Sequence, residues 1–386
     1  MSAGVLCKEE VLDLINPSSG KAVIDPTSSS ELKVAASSLD LPIGMQYWEM
    51  AGSCRTGKTL NVRDIIKRYG KPCLLDQQKV LKKNQVYLFE VGCSLDLSAP
   101  HARGIEGKAT GRSSIGRLDV LARLLIDEGT RFDRVPRNYN KKLYVEVTPF
   151  TFDLLVRPGT RLSQLRLFRG YEQLVTLTKE ELSHEDDVAF PVVDGSGSPL
   201  RQECDMDPHD SWYPLCVDIT PDPKIGCVAF VAKDNVSEAV DPDAKEAYDP
   251  RDFWEAVYPD ESEAKTIQLN PGKLYILRSK ERLRIPPHLA LECQAYTENM
   301  GEWRIEYAGF AHPWFGCQRD DAPGTPIIFE VRGHNIMPLL TDGIPLGNVC
   351  FRRMSQPAKQ PDEKSDYEKQ ELKLSSCFKP WPAQGA

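Results

Sequence analysis

The sequence has no long hydrophobic run and no metal-binding cysteine pattern. No apolar stretch approaches the roughly eighteen residues that span a membrane, and the first ten residues lack the basic flank and apolar run of a secretory signal. The eleven cysteines are scattered without a C-x-x-C pair, and the six histidines show no metal-ligand spacing. These absences predict a cytoplasmic protein with reduced thiols, no membrane segment and no protein-held metal.

An excess of positive charge is missing as well. Lysine and arginine number 48 against 56 aspartates and glutamates, which gives a formal net charge of −8. A groove that follows a nucleic-acid strand needs clustered cations to neutralise phosphates. The charge therefore argues against nucleic acid as a partner, although a small basic pocket for a free nucleotide stays possible.

Long helical periodicities are scarce, whereas proline (29) and glycine (26) are frequent. Together with many short β-branched runs, this predicts an all-β architecture with a few short helices. The apolar spacing predicts those helices over residues 9–15, 62–69 and 118–126.

At 386 residues the chain exceeds one ordinary core, and it repeats itself. Three segments of the first half have counterparts in the second: 38–41 (SLDL) with 216–219 (CVDI), 85–89 (QVYLF) with 273–277 (KLYIL), and 143–147 (LYVEV) with 327–331 (IIFEV). We therefore predict two copies of one β domain, over residues 1–190 and 205–386, joined by a polar linker.

One acidic residue, Glu146, lies inside the apolar run 143–147. A buried carboxylate costs several kcal/mol unless it is paired or works protonated, so its presence calls for a function. The alternative is that Glu146 points outward to water, as every second residue of a half-exposed strand does.

Upstream of Glu146, the segment 111–117 (GRSSIGR) concentrates two cations and two hydroxyls. Arg112, Ser113, Ser114 and Arg117 are side chains that bind anions. A charged turn that caps a surface helix would look similar.

Residues 52–59 (GSCRTGKT) match the P-loop pattern letter for letter. A working P-loop needs a buried apolar strand before it and a helix after it within a parallel α/β domain. The preceding residues 45–50 are mixed in polarity, and no alternating βαβ pattern surrounds them, so an ordinary loop is favoured.

Three motifs, in order, resemble those of the dCTP deaminases, relatives of the trimeric dUTPases. They are 111–117 (GRSSIGR), 143–147 (LYVEV) and 156–165 (VRPGTRLSQL), and the opening segments 4–15, 23–26 and 37–41 resemble the family's N-terminal elements. The resemblance implies two tandem dUTPase-like domains, each a distorted β-barrel or jelly roll.

By resemblance, the activity is hydrolytic deamination of dCTP to dUTP and ammonia, with Glu146 as general base and acid, Ser113 holding the water and Arg117 supporting charge or fixing Glu146. The implied substrate-binding residues are Arg112, Ser114, Asp133, Tyr144, Val145, Gln164, Tyr367 and Gln370. Tyr367 and Gln370 resemble a C-terminal segment that closes over the nucleotide, although such a charged tail is otherwise typical of disorder. The H-x-E and P-C-x-x-C motifs of zinc deaminases are missing, so water would be activated without zinc, and Mg²⁺ would arrive bound to the triphosphate.

The second copy departs from the family pattern. It has 297–302 (TENMGE) in place of the Arg-Ser-Ser segment, and its turn 309–316 carries His312 and Trp314 where Asp and Gly are usual. We therefore expect a degenerate, mainly architectural copy. Because the family's sites form between subunits around a threefold axis, Glu330 remains a candidate for a composite site, and a homotrimer is favoured.

Two other functions stay open. One is a dUTP diphosphatase, or a bifunctional deaminase-diphosphatase, which would release pyrophosphate. The other is a non-catalytic nucleotide-binding protein on the same fold.

Overall fold

The computed structural model describes residues 2–27, 31–201, 210–259, 265–294, 303–305, 309–317, 324–333, 337–361 and 367–382. The chain forms two compact units that interleave in sequence. Unit 1 comprises Met1–Val175, Ser237–Asp243 and Arg353–Ala358, and unit 2 comprises Thr176–Val236, Ala244–Arg352 and Lys359–Ala386. Strands dominate both units, which confirms the mainly β prediction.

Unit 1 is built from many short strands and four short helices. Its helices are α1 (Lys8–Ile15), α2 (Val62–Tyr69), α3 (Ser113–Gly116) and α4 (Glu172–Val175), with a 3-10 turn at Pro100–Ala102. Its strands are β1 (Gly4–Val5), β2 (Ile24–Pro26), β3 (Lys33–Val34), β4 (Leu39–Met50), β5 (Gly70–Leu74), β6 (Lys79–Leu81), β7 (Val86–Val91), β8 (Cys93–Leu95), β9 (Ile105–Gly111), β10 (Val120–Ile126), β11 (Arg134–Val135), β12 (Leu143–Pro149), β13 (Leu154–Val156) and β14 (Arg161–Arg169).

Unit 2 follows the same plan. Its helices are α5 (Lys179–Ser183) and α6 (Pro250–Phe253). Its strands are β15 (Val192–Val193), β16 (Tyr213–Asp218), β17 (Ala229–Ala232), β18 (Trp254–Val257), β19 (Thr266–Gln268), β20 (Leu274–Leu283), β21 (Leu289–Gln294), β22 (Trp303–Ile305), β23 (Phe310–Ala311), β24 (Thr325–Gly333), β25 (Leu339–Thr341) and β26 (Pro345–Arg353).

The main sheets of the two units share one strand order. In unit 1 the order is β10-β12-β7-β4-β14-β9-β11, and in unit 2 the path β24-β20-β16-β26-β21-β23 repeats it from β12 onward. At the start of the path, β22 pairs with β24 as β10 pairs with β12. Each repeated sequence segment therefore lies on strands that occupy the same place in the two sheets.

Two of the three predicted helices are present. In α1, the Glu10 carboxylate accepts a hydrogen bond from the Cys7 backbone N–H at 3.1 Å and so caps the first turn. In α2, the Asn61 side chain accepts from the Asp64 N–H at 2.9 Å, while Val62 and Ile65 are buried. Both helices thus have a capped start and an apolar face.

The predicted helix over 118–126 is wrong, because residues 118–119 follow α3 and Val120–Ile126 form strand β10. Val120, Ala122 and Leu124 are buried, while Leu121 and Arg123 between them are only partly buried, which is the period-two pattern of a strand. The leucines at 118, 121, 124 and 125 recur at spacings of three and four, which fits a helix. Pairing with β12 along the whole length of β10 makes these residues a strand instead.

The core of unit 1 is apolar. In unit 1, α2 covers one face of the sheet through a cluster that includes Met50, Val62, Ile65, Leu88 and Tyr144. Within the described residues, no helix has the length and apolar character needed to cross a membrane.

Candidate active site

Glu146 lies in the middle of β12, where every residue is buried. It faces Leu88 on β7 and Arg123 on β10, and only 3% of its surface is exposed. The alternative that Glu146 points outward to water is wrong. A carboxylate in this position must be paired, because an unpaired buried charge is strongly destabilising.

Three donors hold the Glu146 carboxylate. Arg123 Nη2 donates to Oε1 at 2.6 Å, and the Ser53 hydroxyl donates to the same oxygen at 2.9 Å. The Cys54 backbone N–H donates to Oε2 at 3.2 Å. Arg123 also donates to the Ser53 hydroxyl at 2.8 Å, so the three groups form one network that fixes the carboxylate's orientation.

Ser53 and Cys54 belong to the segment 52–59, which resembles a P-loop in sequence. The segment follows β4, which is antiparallel to all of its partner strands, and α2 begins only at Val62. The buried Thr56 hydroxyl ties the segment to β10 by contacts with the carbonyls of Ile126 (2.6 Å) and Gly129 (2.8 Å). The segment 52–59 therefore holds the Glu146 carboxylate and does not lie between a parallel strand and a helix, as a P-loop does.

Asp133 interacts electrostatically with Arg123 of the Glu146 group. The Arg123 guanidinium stacks 3.9 Å above the Phe132 ring, and the neighbouring Asp133 accepts from the Leu124 backbone N–H at 2.7 Å. Although the residue as a whole is only partly buried, enclosure of its carboxyl group raises the pKa of Asp133 to about 7, against the lowering effect of the Leu124 hydrogen bond and of Arg123. Arg123 therefore pairs with Glu146 and acts electrostatically on Asp133.

A second group surrounds Arg112, just before α3. Arg112 Nη1 donates to the Arg161 carbonyl at 3.1 Å, and Nε lies 3.4 Å from the buried Asp40 carboxylate. The Arg112 backbone N–H donates to the Leu162 carbonyl at 3.1 Å. Burial raises the pKa of Asp40, and Arg112 opposes that shift. The guanidinium is therefore held at the start of β14 and keeps part of its surface exposed.

Within the segment 111–117, Ser113–Gly116 form a single helical turn, α3, and Arg117 follows as its C-cap. Ser113 is partly exposed, whereas Ser114 and Arg117 are buried. The Arg117 backbone N–H closes the turn by donating to the Ser113 carbonyl at 3.2 Å. The two cations and two hydroxyls that the sequence singled out are thus local neighbours.

The chain matches protein-family models over most of its length. Residues 2–171 match the family model of the 2'-deoxycytidine 5'-triphosphate deaminase N-terminal domain, and residues 199–378 match that of the C-terminal domain. The chain belongs to the dCTP deaminase family. No curated protein sequence matches it.

A solved structure agrees with this membership of the dCTP deaminase family. The crystal structure of 2'-deoxycytidine 5'-triphosphate deaminase from Agrobacterium tumefaciens is 27% identical, with a TM-score of 0.79 over 93% of this chain and 100% of that one. The oxalate decarboxylase formate complex of Lactobacillus farciminis reaches only 9% identity and a TM-score of 0.11, over 88% of each chain.

Three further residues predicted from the dCTP deaminase resemblance lie inside the sheet. Tyr144 and Val145 are buried in β12 between β10 and β7, so their main-chain groups face neighbouring strands. The Gln164 amide joins strands, because its Oε1 accepts from the Ser38 hydroxyl at 3.0 Å and its Nε2 points to the Gly111 carbonyl at 3.5 Å. Nucleotide contacts by these residues stay predictions.

The C-terminal residues that resemble the dCTP deaminase lid are packed on unit 2. Gln370 is buried and donates to the Pro326 carbonyl at 2.9 Å, while the Tyr367 hydroxyl accepts from the Ser376 N–H at 3.3 Å. Glu371 forms a bidentate ion pair with Arg282. The preceding residues 362–366 lie outside the described part of the chain, and closure over a nucleotide stays a prediction.

Unit 2 keeps the strand position of the acidic residue but changes its surroundings. Glu330 is buried and faces Ile276, as Glu146 faces the equivalent Leu88. Asp218 occupies the sequence position of Asp40 and pairs with the buried Arg278 at 2.8 Å. The segment 297–302 that replaces the Arg-Ser-Ser motif lies outside the described residues.

Sequence reasoning missed Ser53, Cys54 and Arg123. Arg123 would have been found if the run 120–126 had been predicted as the strand that pairs with 143–149, because the register sets it opposite Glu146. The segment 52–59 was noticed for its P-loop pattern and interpreted as an ordinary loop, so its contact with Glu146 was not predicted. Among the described residues, no three His, Cys, Asp or Glu side chains cluster closely enough to hold a metal ion.

Proposed function

We propose that the protein deaminates dCTP to dUTP and ammonia, with Glu146 as the proton-transferring group. The observation that supports this proposal is the buried Glu146 carboxylate, whose orientation is fixed by three hydrogen-bond donors. One of these donors, Ser53, is a surface residue. Such a carboxylate is oriented by the protein and remains close to solvent, where substrate and water arrive. Membership of the dCTP deaminase family supports the choice of base and sugar.

The reaction adds one water to C4 of the cytosine ring and releases the amine. Glu146 takes a proton from the attacking water, delivers a proton to N3, and then assists proton transfer to the leaving ammonia. Ser113 holds the water by a hydrogen bond, and Arg117 supports charge that develops on the reacting groups. The products are dUTP and ammonia, so atoms and charge balance without an oxidant.

The triphosphate is bound by the group around Arg112, Ser113 and Ser114. Cations, hydroxyls and N–H groups suit phosphate oxygens rather than a metal ion. Mg²⁺ would therefore arrive chelated by the triphosphate and neutralise part of its charge. Asp133 and the C-terminal residues Tyr367 and Gln370 are proposed to contact the sugar and base.

The proposal extends to assembly and location. Residues 1–190 are assigned as the catalytic domain and 205–386 as a degenerate second domain, in a cytoplasmic homotrimer whose sites form between subunits. Water is activated without zinc, which is supported by the absence of the H-x-E and P-C-x-x-C motifs from the sequence.

Turnover of dCTP with Mg²⁺ tests the proposal, with ammonia, dUTP and pyrophosphate measured together. Glu146→Gln is expected to lower kcat on the order of a hundredfold or more, while Glu330→Gln, at the equivalent place in unit 2, stays near wild type. Equal losses would indicate a composite site. Pyrophosphate release would indicate the diphosphatase or bifunctional enzyme, and tight nucleotide binding without ammonia would indicate a non-catalytic binding protein.

A further inference from the structure

We infer that Asp241 and Asp243 are positioning residues that hold the Arg112 group in place for the substrate triphosphate. Both come from the second half of the sequence, yet their segment, Ser237–Asp243, belongs to unit 1. The inference rests on the proposed function only for the identity of the ligand. It assigns the second half a part in the first unit's site.

The segment is attached to unit 1 along its backbone. The Leu155 N–H donates to the Val240 carbonyl at 2.8 Å, and the Val240 N–H donates to the Asp153 carbonyl at 2.9 Å. These bonds add Val240 beside β13 in a parallel arrangement, and its side chain is fully buried. Asp241 and Asp243 therefore follow a fixed point of the chain.

The two aspartates hold a tight turn. Residues 157–160 (RPGT) have proline second and Gly159 third, with φ of +87° at Gly159 and a hydrogen bond from the Thr160 N–H to the Arg157 carbonyl (3.0 Å), which are the features of a type II turn. Asp241 forms an ion pair with Arg157 at the start of this turn. The Thr160 hydroxyl at its end donates to Asp243 at 2.9 Å and accepts from the Arg157 N–H at 3.1 Å.

The turn leads directly into the residues that hold Arg112. Thr160 is 2% exposed, and its carbonyl accepts from the Ile43 N–H at 2.9 Å. The next two carbonyls, of Arg161 and Leu162, accept from the Arg112 side chain and backbone. Displacement of the turn would therefore move both acceptors of Arg112 and weaken binding of an anion by its guanidinium.

Substrate affinity separates this role from a purely structural one. In the full-length chain, Asp243→Ala is expected to raise KM for dCTP about fivefold with kcat changed less than about twofold, because one charge-assisted hydrogen bond behind the anion site is lost. Asp243→Asn keeps an acceptor for Thr160 and should stay near wild type. Thr160→Val should behave like Asp243→Ala, and Thr160→Ser like wild type.

A matched control and a double variant complete the test of Asp243. Glu238→Ala removes an exposed carboxylate from the same segment and should leave KM and kcat unchanged. In an Arg112→Lys background, Asp243→Ala should add less than about a twofold further change, because both substitutions act through one group. Full additivity of the two effects would overturn the inference.

Binding measurements keep this inference separate from the proposed reaction. Calorimetric titration of dCTP into Glu146→Gln protein, with and without Asp243→Ala, measures affinity even if wild type releases no ammonia. A fivefold weaker Kd would support the positioning role. A lower melting temperature with unchanged Kd and KM would overturn it, since the segment would then serve stability alone.

Discussion

Arg123 lies directly opposite Glu146 across the β10–β12 pair, and its Nη2 atom donates to Glu146 Oε1 at 2.6 Å. The pair is asymmetric, because the Glu146 side chain is 4% exposed and that of Arg123 is 27% exposed. The Phe132 ring covers the guanidinium from one side. The charge of the buried Glu146 carboxylate is thus compensated by Arg123, which the strand register places opposite it.

Loss of this cation should destabilise the fold. Arg123→Met leaves Glu146 buried without its charged partner, and we expect the free energy of unfolding to fall by about 2–3 kcal/mol, less than for a fully buried pair. Arg123→Lys should recover part of this loss. Urea unfolding measures the effect, and the double variant with Glu146→Gln should lose less than the two single losses combined. An unchanged Arg123→Met protein would contradict the pairing.

The loop 52–59 should contribute to catalysis through Ser53 and not through Lys58, the lysine of its P-loop-like pattern. Ser53→Ala removes one donor to Glu146 and is expected to lower kcat for dCTP about tenfold, because the base is less firmly oriented. Lys58→Ala, an exposed residue of the same loop, should leave kcat and KM unchanged. Ammonia release reports both. Loss of nucleotide binding in the Lys58 variant would instead favour a phosphate-binding role for the loop.

Asp133 should make stability depend on pH. Burial raises the pKa of Asp133 to about 7 in the folded protein, whereas an unfolded aspartate has a pKa of about 4. The stabilising contribution of the bound proton is therefore complete below about pH 4 and is lost as pH rises through 7. Between pH 5 and pH 8, wild type should lose about 2 kcal/mol relative to Asp133→Asn, less than a fully enclosed residue would give.

Urea unfolding of both proteins at the two pH values measures this difference. The Asn variant is a close control, since its side-chain oxygen still accepts from the Leu124 N–H. Parallel pH dependence of the two proteins would show that Asp133 is ionised throughout this range.

The C-terminal segment should be held on unit 2 by Glu371. This residue pairs with Arg282 through both of its oxygens, at 2.9 and 3.0 Å. Glu371→Gln is expected to speed amide hydrogen exchange over residues 367–376 about tenfold, because loss of the ion pairs with Arg282 and, at 3.9 Å, with Arg278 lowers the free energy of local opening by about 1.4 kcal/mol. Lys369→Ala, at a neighbouring exposed position, is the control. Equal exchange in both variants would show that Gln370 and the apolar contacts suffice.

Much of the fold was predictable because strands and amphipathic helices leave local signals. The proline and glycine content, the short β-branched runs and the repeated segments indicated a mainly β chain, and α1 and α2 were indicated by their apolar spacing. The strand β10 was not, because the leucines at 118, 121, 124 and 125 recur at spacings of three and four, as on one face of a helix. Hydrogen bonding with β12 makes these residues a strand instead.

The sequence by itself determined the family motifs, the position of Glu146 in an apolar strand and the cluster at 111–117, since each depends on residues that are neighbours along the chain. Tertiary structure alone decided which groups meet Glu146: Ser53 and Arg123 are 93 and 23 positions away. It also decided that Asp241 and Asp243 support a turn 83 or 84 positions earlier. Such contacts are set by strand register and chain crossing, which leave no periodic trace in the sequence.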